Sequence, residues 1–184
     1  MAKSWRPWPT RIATRNRAAA SYDCSSMIPE AEMAGLWFED LKPGALYEHP
    51  ITRTVTEMDN MLFSTLTMNP QPLHIDRHFA AKTEWGAPLM NSLFTLGLMI
   101  GISVNDLTVG TIIANLGMTE VKFPAPLFQG DTIHVTTEII SARESRSRKD
   151  AGIAEFHHKA YNQDGKLVAE CRRQVFMRKR PVSS

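Results

Sequence analysis

Apolar and polar positions divide the chain into a helix-rich first half and a strand-rich second half. The run TEMDNMLFSTLTM from Thr56 fits a helix, with Thr56 as N-cap and Asp59 three residues on completing a capping-box pattern. Pro70 and Pro72 are expected to stop it and to force an extended turn before His74. Asp76–Lys82 (DRHFAAK) reads as a short helix, and Pro88 can open the next one. From Leu89 to about Ser103 the residues LMNSLFTLGLMIGIS are apolar nearly all round, the pattern of a helix buried on every side. Upstream, residues 37–48 read as a strand and a Pro43-Gly44 turn, and Ile51–Val55 alternates as a strand does. Downstream, Thr111–Asn115, Met118–Phe123, Thr132–Ile140, Ile153–Tyr161 and Leu167–Met177 are strand-like. Asp164-Gly165 marks a hairpin between the last two, and Ala142–Asp150 (ARESRSRKD) reads as a charged loop or strand end.

One long buried helix followed by antiparallel strands is an α+β order, not a βαβ alternation. It fits a curved antiparallel sheet wrapped around the helix. One sheet covers only some faces of such a helix, so a second subunit is expected, as a homodimer or higher homo-oligomer.

Length and composition narrow the function classes. The 184 residues, 43% of them hydrophobic, suit one domain that folds without disulfides or metal. Lys3, Arg6, Arg11, Arg15 and Arg17 against Asp23, Glu30 and Glu32 account for the whole net charge of +2. The neutral body argues against a nucleic-acid partner, and the absence of any run of 18 apolar residues argues against a membrane one. Cys24 and Cys171 are far apart with no CxxC pattern, which points to a reducing compartment, the cytoplasm. Residues 1–33 are read as a basic N-terminal arm or extension. Their Arg-rich, acid-poor start also fits a transit peptide, which would place the protein in the mitochondrial matrix. The domain is expected over 34–178, with a tail at 179–184.

The stretch Phe63–Asp76 (FSTLTMNPQPLHID), followed by Ala80, resembles the MaoC-like, or (R)-specific, enoyl-CoA hydratase family, whose motif has the form G-D-x-N-P-L-H-x-D. Gly86–Gly97 (GAPLMNSLFTLG) resembles that family's G-x-P-I-V-H-G-M-L block, and Val121–Pro126 with Gly130-Asp131-Thr132 resembles its strand after the central helix. The resemblance implies a hot-dog fold, an acyl-CoA substrate, sites near a dimer interface, and no metal or redox cofactor. His74 and Asp76 keep the family's identities. The family's catalytic Asp falls on Asn69, its Asn on Gln71, and its His-Gly pair on Asn91-Ser92. The pattern TMNPQPLH with NSLFTL is similar to the branch that handles mesaconyl-CoA and β-methylmalyl-CoA.

Hydrating an α,β-unsaturated thioester needs a base for water, an acid for C2, and donors for the enolate oxygen. His74 is the strongest proton-transfer residue, because imidazole changes charge near neutral pH. Asp76 or Asp59 could fix its tautomer, although Asp76 could instead cap the helix after it, and Asp59 suits a first-turn cap. Amides at the start of the long helix, Asn91 to Leu93, suit the enolate oxygen, with Ser92 at the family's Gly position. Asn69 cannot act as a base; it can hold water or donate to a substrate carboxylate, with Gln71 and Asn91 as further neutral donors.

Other features weigh less. His74 and His78 have metal-ligand spacing, but Pro72 breaks the helix such a pair needs and no third ligand follows, so no metal is expected. His157 and His158 should point to opposite faces of a strand. Arg143, Arg146, Arg148 and Lys149 could meet CoA phosphates, or simply be solvated. Two rival readings stand beside the hydratase. A hot-dog thioesterase would usually place a carboxylate on the central helix, and Leu89–Ser103 has none. A non-catalytic acyl-CoA-binding subunit would explain the missing Asp.

Overall fold

A computed structural model describes residues 35–181. The basic arm expected over 1–33, its transit-peptide alternative and Cys24 lie outside the described residues.

Helix α1 spans Glu57–Leu66 and starts as its capping residues dictate: Thr56 Oγ1 accepts from Asp59 N–H, and the Asp59 carboxylate accepts from Thr56 N–H at 2.8 Å. Burial pushes the Asp59 carboxyl up, but bonds from Thr56 and Arg53 outweigh it and hold the group below the usual carboxylate range. The helix ends before the prolines act. Met68 N–H donates to Thr65 C=O (3.1 Å) and Asn69 N–H to Ser64 C=O (2.8 Å), with Met68 in the left-handed region at φ 54°. That is a Schellman cap carried by methionine where glycine is favoured. Met68 is 88% exposed, so its side chain contributes little packing. Met68→Gly should therefore stabilise the fold by about 1 kcal/mol, raising Tm by roughly 2–4 °C in a scanning calorimeter; an unchanged or lowered Tm would refute the strain.

The segment after the cap corrects the expected extended turn. Pro72–Ile75 forms a helical turn, α2, because proline is tolerated in the first turn and Gln71 Oε1 accepts from Leu73 N–H. Helix α3 follows at Arg77–Ala80, capped by Asp76. The long helix α4 spans Ser92–Leu107, so it begins after Pro88 and runs past Ser103. Residues 89–90 are held extended instead, Leu89 bridging Phe128 and Met90 N–H donating to Leu127 C=O at 2.9 Å.

The strands are β1 (Leu46–Glu48), β2 (Arg53–Thr54), β3 (Ile112–Lys122), β4 (Thr132–Glu144), β5 (Ala151–Tyr161) and β6 (Leu167–Arg178). They form an antiparallel sheet in the order β1-β4-β5-β6-β3, with β2 also on β4. The two strands expected over 111–123 are one bulged strand, β3. The strand expected near residue 37 is instead a 3-10 turn at Phe38–Asp40, whose Phe38 ring fills the space a Cβ at Gly152 would need, 2.1 Å away. Asp164-Gly165 makes the predicted β5–β6 turn, with Gly165 at φ 73°.

Helix α4 lies against the inner face of this sheet, a hot-dog arrangement. Met99, Ile102, Leu127, Ile133, Val135, Val168 and Cys171 form the core between them. A second cluster packs Phe38 and Leu41 on Ile139, Phe156 and Val175. Among the described residues of this one chain, α4 is buried on one side. Thr95, Met99, Ile102, Ser103 and Leu107 are buried, while Leu93 is 60% exposed. Helix α1 is inverted: Asn60 and Ser64 are buried, whereas Met58, Met61, Leu62 and Leu66 face outward. No helix of the described residues is long and apolar enough to cross a membrane.

Candidate active site

Three backbone segments meet beside the first turn of α4, and one side chain from α1 joins them. Asn60 is 3% exposed. Its Nδ2 donates to His74 C=O and to Leu89 C=O, both at 2.8 Å, and its Oδ1 accepts from Asn91 N–H at 2.8 Å. Sequence reasoning missed Asn60. The signal available was its place four residues before Ser64, on the polar stripe of a helix whose other face is apolar.

His74, half-buried on α2, places Nδ1 2.9 Å from Leu89 C=O. A carbonyl only accepts, so Nδ1 carries a proton, and in the neutral ring the lone pair is on Nε2. The backbone thus fixes the tautomer that Asp76 or Asp59 was expected to fix. Asp76 accepts from Phe79 N–H at 2.9 Å as the α3 cap, and Asp59 is engaged with Thr56 and Arg53.

Asn69 Oδ1 accepts from Gln71 N–H at 3.1 Å, and its Nδ2 remains as a donor. Gln71 caps α2 through its own Oε1. Of the amides expected to serve an oxyanion, Asn91 N–H is taken by Asn60 and Leu93 N–H by Asn91 Oδ1 at 3.0 Å. Ser92 N–H meets no acceptor among the described residues. Beside it opens a mostly apolar pocket of about 230 Å³, lined by Trp85, Phe123, Leu127 and Val168 with Ser92 and Thr95 as polar members. Met90 borders both this pocket and the narrow cleft that His74 lines.

The basic cluster is not brought to this site within one chain. Arg143 lies near the end of β4, and Arg146, Arg148 and Lys149 lie in the loop leading to β5. Thr132 at the other end of β4 pairs with Thr54 of β2, two residues before the α1 cap. A 13-residue strand separates the two ends, roughly 40 Å. Arg148 is engaged by Asp150. Among the described residues no three His, Cys, Asp or Glu side chains converge as a metal ion would require.

Helix α4 does carry a carboxylate, contrary to the shorter helix read from the sequence. Asp106, in its last turn, lies 2.8 Å from Nδ1 of buried His49. His49 Nε2 contacts Thr137 Oγ1, and Thr137 Oγ1 contacts His158 Nδ1, each at 2.8 Å. This chain of polar groups sits at the opposite end of α4 from Ser92.

The family model described as MaoC like domain matches residues 39–160. The chain belongs to the MaoC-like family. It is 32% identical over 146 residues to the β-methylmalyl-CoA dehydratase of Chloroflexus aurantiacus, covering 79% of this chain and 41% of that protein. It is 29% identical over 151 residues to the mesaconyl-CoA hydratase of Cereibacter sphaeroides, covering 82% of this chain and 43% of that protein. Thus the MaoC-like chain spans about two-fifths of the length of these relatives. Among solved structures, a monoamine oxidase regulatory protein from Archaeoglobus fulgidus superimposes with a TM-score of 0.72 at 32% identity, covering 81% of this chain and 99% of that one.

Proposed function

We propose that this MaoC-like chain reversibly hydrates a 2-enoyl-CoA to a 3-hydroxyacyl-CoA of (R) type, acting on a short branched dicarboxylic acyl group such as mesaconyl-CoA. One observation carries the reading: His74 Nδ1–H is held by Leu89 C=O, which leaves Nε2 of the neutral ring to transfer protons, and Asn60 ties this segment to the helix start whose Ser92 N–H is uncommitted.

In this scheme a water oxygen bonds to C3 and its proton passes to His74 Nε2. The C2=C3 electron pair moves onto the thioester oxygen, which Ser92 N–H receives. The imidazolium then returns the proton to C2, so the net change is addition of one water. His74 is both acid and base; no metal or redox step is required. Asn69 and Gln71 hold water or the second carboxylate. An Asp at position 69 would repel that carboxylate, whereas the Asn69 amide nitrogen donates to it.

The assembly is proposed as a homodimer or higher homo-oligomer. β3 is an edge strand with Leu116 exposed, α1 turns Met58 and Leu66 outward, and the longer relatives have room for a second such unit in one chain. The thioesterase reading loses support because Asp106 is bonded to His49 at the far end of α4 from Ser92. Loss of enoyl-thioester absorbance tests the function. Mesaconyl-CoA should be hydrated faster than crotonyl-CoA, and Asn69→Asp should reverse the order. Faster crotonyl-CoA turnover by the unmodified protein would overturn the dicarboxylate assignment, and thiol release without hydration would turn the assignment to hydrolysis.

A further inference from the structure

We infer that Asn60 is the positioning residue of this site, setting the His74 tautomer and aligning the proton-transfer nitrogen with the Ser92 amide. The inference rests on the hydratase reading above. A primary amide offers two N–H donors and one carbonyl oxygen, and all three are committed in Asn60. Both hydrogens go to backbone carbonyls, of His74 and of Leu89, and the oxygen takes Asn91 N–H. The contacts therefore tie α1 to the His74 segment, to the extended strap before α4 and to the α4 cap.

Two consequences follow for the chemistry. Leu89 C=O has two lone pairs and receives two donors, Asn60 Nδ2 at 2.8 Å and His74 Nδ1 at 2.9 Å. With Asn60 holding the carbonyl in place, the ring can meet it only with Nδ1 protonated, so in the neutral imidazole Nε2 has the lone pair. At the helix start, Asn60 consumes Asn91 N–H while Asn91 Oδ1 consumes Leu93 N–H. Ser92 N–H is left between them as the amide free to meet an oxyanion. The base and the oxyanion donor are thus registered to each other through one side chain that touches neither substrate nor reacting atoms.

Only an asparagine satisfies this arrangement. Aspartate keeps the shape and the acceptor but aims a carboxylate at two carbonyls. Leucine removes every bond, and glutamine is one methylene too long for a buried site. Serine at the neighbouring buried position, Ser64, cannot substitute, because its hydroxyl has one donor.

The test uses the full chain with ¹⁵N-labelled histidine. Long-range ¹⁵N–¹H correlations report the His74 tautomer independently of activity, and steady-state kinetics report kcat and KM. The unmodified protein should show His74 protonated at Nδ1. Asn60→Asp and Asn60→Ala should show a mixed or reversed tautomer, and kcat should fall about a hundredfold with KM little changed. A merely structural role would lower Tm yet leave tautomer and kcat of the folded protein unchanged, and that result overturns the inference. So does an Nε2-protonated His74 in the unmodified protein, a measurement that needs no variant to fold. If the unmodified protein hydrates nothing, the hydratase reading fails by itself, and the tautomer change in the variants still decides the role of Asn60.

Discussion

Replacing His74 by alanine should lower the hydration rate by about 10²–10⁴-fold, the usual contribution of a positioned acid–base group, while acyl-CoA binding persists. The variant is a clean test because the site survives the loss. Leu89 C=O, which accepts from His74 Nδ1, keeps its bond from Asn60 Nδ2 at 2.8 Å. The Asn60 bond to residue 74 goes to the backbone carbonyl and is also retained. The half-buried imidazole leaves no large cavity, so Tm should move little. The expected result is a normal melting curve, near-normal affinity for the product thioester, and hydration reduced to near background. Addition of free imidazole should restore part of the rate, because the missing group is a proton carrier. A His74→Ala protein with undiminished hydration would remove His74 from the mechanism. Tight acyl-CoA binding by an unmodified protein that hydrates nothing would favour the non-catalytic binding subunit.

Most local signals in the sequence predicted local structure well, the helical turn at Pro72–Ile75 being the exception, and the other failures arise from partners distant in sequence. Thr56 with Asp59, the Asp164-Gly165 turn, and the alternation through β4, β5 and β6 each act within a few residues, and each appears in the fold. Pro88 suited a helix start by its fixed φ. The chain instead keeps residues 89–90 extended because Leu127 and Phe128, almost forty residues later, pair with them. The all-round apolar pattern of Leu89–Ser103 implied burial on all sides with a second subunit covering what one sheet leaves open, and the described residues of one chain bury one face. Leu93, with Met58, Met61 and Leu62 on α1, is exposed apolar surface among the described residues. The motif around His74 was legible because its residues are consecutive. Asn60 was not, since its three partners lie 14, 29 and 31 residues away in sequence. Nor was the Asp106–His49–Thr137–His158 chain, whose members come from α4, the segment after β1, β4 and β5.

Acid should destabilise the fold through His158, and His158→Asn should remove most of that effect. His158 is fully buried on the inner face of β5, its ring edge-on to Phe156. Burial, followed by the charges of Arg173, His49 and His157, pushes its pKa from 6.5 down to about 3. Thr137 bonds Nδ1, and Nε2 has no partner among the described residues. The folded protein therefore holds this ring neutral, whereas the unfolded chain protonates it as pH falls through 6.5. Between that pH and about 3 the unfolded state binds more protons, so stability is complete above 6.5 and declines as pH drops. The slope is about 1.4 kcal/mol per pH unit, and the full loss is on the order of 5 kcal/mol. Asparagine places an amide where Nδ1 stood, keeps a bond to Thr137, and cannot be charged. Urea unfolding midpoints between pH 7 and pH 4 should fall steeply for the unmodified protein and more gently for His158→Asn, even though the variant starts lower for lost packing. Asp59 and Glu170, both held below the usual carboxylate range, bind protons only toward the acid end and act alike in the two proteins. Parallel curves would place the acid sensitivity in those carboxylates and remove His158 from the account.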